Sequence, residues 1–515
     1  MSSGSDPCNR SDEETVGAAV RRAARKYGGK LALSYEDREW SFADLDRAAT
    51  SVAAALLASG LEKGDRLSAY AGNSDAYFIG WLGCARAGLV HVPANYNLTK
   101  SEVEYILRQS GAKAVLCDGI HAKTIAELEE IRIQAIGLAS QDVTPDILTL
   151  ANVTATAVPV RVEGGDLAQI QYTSGTTSAP KGAMMTHRAI LFEYASCIHD
   201  LSYGQDDRCL AALPLYHTAQ MHAFTMPQML AGASTWLIDS PQPEQVFSLI
   251  EKHRITSFFA PPTVWISLLR HPDFDRHDLS SLEKIYYGAS IMPAPVLKEL
   301  GERLPRAGLY NVYGQSEIGP VATVLLPHEH AERPTSAGRP VLNVETRVVD
   351  PEMRDVPCGE QGEIVHRSPQ LLTGYWNLPE ETEQAFRGSW FHSGDAAYRD
   401  EAGYIYVVDR IKDVINTGGV LVACREVEDA LFSHPSISEV AVIGLPDEKW
   451  IEAVTAVVVF REDQSAEPEE LTRHAEPMLA SFKLPKRYFF VEELPRNASG
   501  KILKRELRDR FGSPH

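Results

Sequence analysis

Over most of its 515 residues the chain alternates between segments with the period of an amphipathic helix and short runs with the period of a strand. This limits the fold more than any other feature, because strand, helix, strand is the unit from which parallel sheets are built. Residues 42–59 carry apolar side chains at helical spacing, with Ser41 and Asp44 as a start signal and Gly60 as a stop. Residues 66–71 read as a strand, 75–87 as a helix, 90–93 as a short buried strand, 100–109 as a helix and 114–118 as another strand. The rhythm returns with strands at 234–239 and 257–260 and helices at 242–253 and 263–269. The spacing predicts an α/β fold with largely parallel sheets.

A chain of this length exceeds what a single core usually holds. From about Gly338 the texture changes to strand-like runs (344–349, 362–367, 403–408) separated by Gly, Pro and Asp, which predicts a β-rich part over about 338–411. A further boundary falls at Asp409-Arg-Ile-Lys-Asp413. Beyond it come a helix at 425–432, strands at 440–444 and 453–460 and a helix at 467–479, enough for a compact α+β lobe. The expected division is 1–411 for the large N-terminal domain and 412–515 for a small, mobile C-terminal domain.

The net charge of -19 argues against general nucleic-acid binding, and any anionic substrate must be met by local positive charge. Seven scattered cysteines without a Cys-x-x-Cys pair predict reduced thiols, with neither a disulfide framework nor a structural zinc. The polar, acidic start resembles neither a secretory signal nor a transit peptide. The longest apolar run, around 76–85, is cut by Arg86 and is too short to span a bilayer. The last residues carry no peroxisomal or lipidation signal, so the expected location is the cytoplasm.

Against this background the stretch from Tyr172 to Gly182 stands out. It holds five aliphatic hydroxyls (Thr173, Ser174, Thr176, Thr177, Ser178), two glycines (Gly175, Gly182) and Lys181, directly after a strand-like approach. Glycines let backbone N–H groups come close to a polyphosphate, hydroxyls donate, and the lysine adds charge. Pro180 stands where a Walker loop needs glycine, so this is a different phosphate loop.

Together with this loop, six further segments resemble motifs of the adenylate-forming enzymes, in the family's order along nearly the whole chain. That family comprises acyl- and aryl-CoA synthetases, peptide-synthetase adenylation domains and firefly luciferase; the chain is most similar to an acyl-CoA synthetase. The resemblance implies the following roles. Thr173, Ser174, Gly175, Thr176 and Thr177, with Lys181, hold the ATP phosphates. Leu213-Pro-Leu-Tyr-His217 borders the acyl pocket through His217, and Met221 stands four residues on. Tyr287-Gly288-Ala289-Ser290 lines the adenine and the acyl carboxylate, with Gly288 also in the acyl pocket. In Asn311-Val-Tyr313-Gly314-Gln-Ser316-Glu317, Tyr313 stacks on adenine, Ser316 touches the α-phosphate and Glu317 binds Mg²⁺; Asn311 and Gly314 complete the nucleotide site, and Gly314 also faces the acyl group. Asp395 of Trp390-Phe-His-Ser-Gly-Asp395 takes both ribose hydroxyls, and Arg410 contacts ribose or phosphate. Lys412 is the hinge, Gly418 and Gly419 lie by the pantetheine tunnel, and Lys501 bridges the carboxylate and the α-phosphate.

The implied reaction uses ATP, Mg²⁺ and coenzyme A. A carboxylate is adenylated with release of pyrophosphate, the C-terminal lobe turns about Lys412, and a thiol takes the acyl group. No acidic residue occurs in His217-Thr-Ala-Gln-Met-His222, which disfavours an α-amino acid, whereas Met221, Phe224, Met226, Met229 and Leu230 suggest a hydrophobic acid or are ordinary core. Apolar Val420, Leu421 and Val422 follow the paired glycines where the family usually has polar residues. A separate carrier protein therefore stands as the alternative acceptor, and a second copy of the chain as a further possible partner.

Overall fold

In the computed structural model the described residues are 11–128, 133–140, 142–155, 157–173, 180–290, 292–411, 413–417, 420–447, 449–496 and 502–512. The capping signal is realised: helix Phe42–Ala58 starts where Ser41 N–H meets the Asp44 carboxylate at 3.0 Å and Asp44 N–H meets Ser41 Oγ at 3.1 Å. It packs on helix Asp75–Ala87, all of whose residues are buried. That explains the long apolar run at 76–85, since a helix buried on every side has no polar stripe to keep. Its two charged residues are paired. Asp75 accepts from Arg38 Nε at 2.7 Å and Trp40 Nε1 at 2.8 Å, and Arg86 meets Asp46 at 2.5 Å. Among the described residues no helix is long and apolar enough to cross a membrane.

Two α/β sheets make up the large part. One has six strands in the spatial order Gln134–Gly137, Ala112–Cys117, Arg66–Tyr70, Val90–Ala94, Leu167–Thr173, Lys181–Thr186, parallel except for the last pair. The other has nine, and its middle run from Gly308–Gly314 through Lys284–Gly288, Ser257–Phe259, Arg208–Ala211 and Ser234–Leu237 to Leu31–Tyr35 is parallel, with antiparallel strands at both edges. Trp81, Leu116, Leu33 and Tyr286 belong to one buried apolar cluster, so the two sheets share a core.

A five-stranded antiparallel sheet follows, built on Glu345–Val349, Gly362–Arg367, Trp390–Arg399 and Ile405–Arg410, with a short strand Phe386–Arg387. The strand expected at 403–408 begins later, because Asp400 to Gly403 form a turn with Gly403 at φ 83°. The last unit pairs Ile437–Asp447 with Ile451–Phe460 around its own cluster of Val427, Leu431, Val442, Val454 and Leu471. The helix expected at 467–479 runs only from Pro468 to Ala475: Glu476 still has helical backbone and its N–H reaches Thr472 O, but Pro477 has no N–H with which to continue the ladder. The six described cysteines are free thiols.

Candidate active site

The hydroxyl-rich loop connects two antiparallel strands, Leu167–Thr173 and Lys181–Thr186, whose ends Thr173 and Lys181 lie opposite each other in register. Ser174, Gly175, Thr176, Thr177 and Ser178 fall outside the described residues. The two ends meet a third segment. Thr173 Oγ1 donates to Glu317 Oε1 at 3.0 Å, Tyr375 OH donates to the same oxygen at 3.2 Å, and Lys181 Nζ lies 5.5 Å from the centre of the Tyr375 ring. Glu317 is 8% exposed.

Tyr375 was not found from the sequence. It stands on residues 372–376, which run beside the Lys181 strand: Trp376 N–H meets Gly182 O at 2.8 Å, and Met184 exchanges backbone bonds with Thr373 and Gly374 at 2.9 and 3.0 Å. The same segment holds Glu317 by its backbone, with Leu372 N–H donating to Glu317 O at 2.9 Å. Burial and the neighbouring Glu317 push the Tyr375 phenol well up, so it stays a donor. Among the described residues no donor reaches Glu317 Oε2. A buried carboxylate with an oxygen that no described donor occupies suits a hard cation that keeps its other positions for phosphate and water, so the donor set fits Mg²⁺.

A second pair sits on the antiparallel sheet, where Asp395 and Arg410 are register partners. Arg410 Nε lies 2.6 Å from Asp395 Oδ1, and Tyr313 OH donates to Oδ2 at 2.6 Å. Burial works against the Arg410 charge, but Asp395, Tyr313 and Glu317 outweigh it and raise its pKa, so it remains a cation. The influence of Glu317 on Arg410 places the two groups of residues near each other.

Among the remaining motif residues, Asn311 Nδ2 donates to Ser336 O at 2.8 Å and so fastens the loop behind the Tyr313 strand. Gly288 and Gly314 are sites of close backbone approach: a Cβ would come within 2.2 Å of Val312 O at the first and 2.0 Å of Pro320 O at the second. Ala289 has φ 63°, and Ser290 beside it is exposed. Ser316 Oγ and Thr218 Oγ1 are 2.9 Å apart, which ties the Glu317 segment to the His217 segment.

His217 Nδ1 accepts from Ala219 N–H at 3.2 Å, and burial lowers its pKa to about 4. It is therefore neutral near pH 7, with its proton on Nε2. A turn of π-helix, Ala219–Thr225, follows, with Met226 N–H reaching Met221 O five residues back. Such turns are rare and often mark functional sites. A cavity of about 160 Å³ opens beside His217, Ala219, Gln220, Tyr96, Phe259 and Ala289. The structure does not place Met221 on it; Met221 is packed in the core with Phe224, Met226 and Met229.

Lys412, Gly418, Gly419 and Lys501 lie outside the described residues. Their flanks are visible. Arg496 and Ile502 pair as an isolated antiparallel bridge, so the ends of the Lys501 segment are held together. Val422 is buried in the core of the last unit, whereas Val420 is 46% exposed. Helix Lys504–Phe511 reaches back toward the boundary, with Arg508 on Asp413 at 2.6 Å and Lys504 on Glu428 at 2.9 Å.

Comparison with known proteins places the chain in a family. The family of AMP-binding enzymes matches residues 20–376, and the AMP-binding enzyme C-terminal domain matches 426–501. A feruloyl-CoA synthase of Amycolatopsis is 36% identical over 503 residues, covering 96% of this chain and 99% of that one. A long-chain-fatty-acid–CoA ligase of Bacillus subtilis is 32% identical over 543 residues, covering 98% and 95%. The crystal structure of ATP-bound MatB from Rhodopseudomonas palustris superposes with a TM-score of 0.89 at 29% identity, covering 97% of this chain and 99% of that one. With both family regions present in order and relatives matched end to end, the chain belongs to the AMP-binding enzyme family, as an AMP-forming acid–thiol ligase of the acyl-CoA synthetase type.

Proposed function

We propose that this synthetase activates a hydrophobic carboxylic acid as its acyl-adenylate and passes the acyl group to the thiol of coenzyme A. The observation that carries the reading is the meeting of Thr173, Lys181 and Tyr375 around Glu317, with the Asp395–Arg410 pair near enough for Glu317 to act on the Arg410 charge. In this reading Lys181 and the loop it closes take the β- and γ-phosphates, and Asp395 uses its remaining lone pairs for the ribose hydroxyls. Tyr313 forms a wall for the adenine, and Glu317 offers Oε2 to Mg²⁺. When bound there, Mg²⁺ would draw charge from the triphosphate and ease the approach of a carboxylate.

The protein's own work is positioning and charge placement. Arg410, kept cationic by Asp395, lies where negative charge accumulates around the phosphates. Ser316, set by Thr218, stands at the α-phosphate. Lys501 is assigned to the carboxylate and α-phosphate during adenylation, and Lys412 to the pivot that withdraws it before thiol attack. A neutral His217 beside the apolar cavity serves as lining and takes no proton. The absence of an acidic residue in the segment 218–222 supports an acid without an α-ammonium group.

The test is pyrophosphate release across short, medium, long, aromatic and polycyclic acids, followed by weighing the products formed with coenzyme A or with a carrier protein. Turnover of hydrophobic acids to acyl-CoA is expected. Preference for amino acids, or acylation of the carrier alone, would overturn the proposal.

A further inference from the structure

Behind Glu317 lies a buried polar assembly that no motif announces. Glu193, on helix His187–Asp200, has no exposed surface. Its Oε1 accepts from Val321 N–H at 3.0 Å and Cys197 Sγ at 3.2 Å, and its Oε2 accepts from Gln370 Nε2 at 2.5 Å. Gln370 is equally buried. Its Nε2 also faces Ile318 O at 2.9 Å and Val321 O at 2.7 Å, and its Oε1 accepts from Ser196 Oγ at 3.0 Å. The pair therefore grips residues 318–321, the turn that follows Glu317 immediately, on both its N–H and its C=O groups. Gly319 in that turn has φ 108°, and a Cβ there would stand 3.0 Å from Glu193 Oε2, so both backbone conformation and close approach call for glycine.

Gln370 also begins the segment that holds Glu317 from the other side. Two residues on, Leu372 N–H takes Glu317 O, and three further, Tyr375 OH takes the Glu317 carboxylate. Glu317 thus has its turn clamped by Glu193 and Gln370, its carbonyl by Leu372 and its side chain by Tyr375. Burying a carboxylate is costly, and a well-packed apolar substitute would often be as stable or more so. What an apolar pair could not do is hold a tight turn by both donors and acceptors in one geometry.

We propose that Glu193 and Gln370 are positioning residues for the metal–nucleotide complex: by clamping residues 318–321 they fix the Glu317 carboxylate at the angle at which it meets Mg²⁺ and the ATP phosphates. The proposal rests on the reading of Glu317 given above. It places a requirement on side chains that touch neither substrate nor metal, on a helix and a segment separated by more than 170 residues.

The test separates positioning from folding by comparing nucleotide affinity with and without metal. Glu193→Gln replaces one acceptor oxygen by a donor; Gln370→Met keeps the length and removes the amide. Each is titrated with a non-hydrolysable ATP analogue, in Mg²⁺ and again in EDTA, and with Mn²⁺ followed by electron paramagnetic resonance. In both variants, affinity for the metal–nucleotide complex is expected to fall about tenfold, the worth of one lost buried hydrogen bond; burial pushes the Glu193 carboxyl up to about 8, so it is largely uncharged near pH 7. Metal-free affinity should stay within about twofold, because that part of the site does not run through Glu317. Ser196→Ala, which removes only the bond to Gln370 Oε1, is expected to give the same selective loss at about threefold and serves if the larger changes prevent folding. Equal losses with and without metal, or folded variants with unchanged affinities, would overturn the proposal while leaving the enzyme assignment intact. A wild-type protein whose nucleotide affinity gains nothing from Mg²⁺ would overturn the reading of Glu317, and this proposal with it.

Discussion

Around Glu317, segments far apart in the chain hold each other directly. The hairpin ends Thr173 and Lys181, residues 370–376 and the turn at 318–321 share hydrogen bonds at short range. The last unit is arranged differently. It has a core of its own, and among the described residues the bonds that reach from it to the boundary at 409–413 are polar: Arg508 on Asp413, Cys424 N–H on Asp409 at 2.9 Å and Cys424 Sγ on Asp413 O at 3.0 Å; half-buried Phe432 also packs against a cluster of the large part. One region is suited to keep a fixed geometry for charge, while the other is attached through contacts that can be exchanged without opening a core. That contrast is what a two-step reaction needs if the same large part serves both steps and the small part changes its face.

The strongest way to break the contrast is Lys501→Ala. Acyl-adenylate formation should fall by about 10³-fold, comparable with the loss of a key oxyanion donor, whereas thioester formation from supplied acyl-adenylate should persist. Equal losses in both half-reactions, measured by quenched flow, would mean that the last unit does not divide its work. Lowering the pH attacks the fixed region instead. His91, His187, His222 and His366 are buried, and burial lowers their pKa values to about 4, 4, 3 and 3. A group with a depressed folded pKa binds its proton more readily in the unfolded chain. Stability should therefore drop as pH falls from about 6.5 toward 4, by about 1.4 kcal/mol per pH unit for each such histidine. All four lie in the large part, so calorimetry should show its transition falling with pH more steeply than that of the last unit; parallel shifts would contradict this.

Lys504→Met tests the small unit. It leaves Glu428 without its cation, and because Lys504 keeps 17% of its side chain exposed the cost should be about 2 kcal/mol, less than for a fully buried pair. Denaturant unfolding should then show the last unit melting earlier with nucleotide affinity unchanged; loss of nucleotide binding would show the two regions to be less separate. Tyr375→Phe is the finest probe. Removing one hydroxyl from Glu317 should slow adenylation about fivefold and leave thioester formation from supplied acyl-adenylate unaffected.

The parts of this architecture legible in the sequence are those fixed locally. The capping box at Ser41, the alternation of helix and strand, and the motif residues Glu317, Asp395 and Arg410 are carried by short runs of chain. Tyr375, Glu193 and Gln370 were not legible. Each lies in an ordinary stretch and gains its meaning from partners brought in by the tertiary fold, with nothing in local spacing to mark it. Met221 illustrates the converse: an apolar residue beside a pocket motif reads as lining, yet the π-turn carries it into the core and leaves Ala219 and Gln220 on the cavity. Val420 and Val422, two apart in one strand, share a face, yet Val420 at the start of the strand is exposed whereas Val422 is buried in the core of the last unit, a difference that alternation alone does not reveal.

The account's central claim is that Lys181, Glu317, Asp395 and Arg410 serve one nucleotide. A crystal of the protein with Mn²⁺ and a non-hydrolysable ATP analogue, with data collected at the manganese absorption edge, tests it most directly. The account predicts an anomalous peak at coordination distance from the Glu317 carboxylate, about 2.2 Å, with the ribose hydroxyls on Asp395. A manganese peak away from Glu317, or a nucleotide bound where Asp395 cannot reach it, would contradict it.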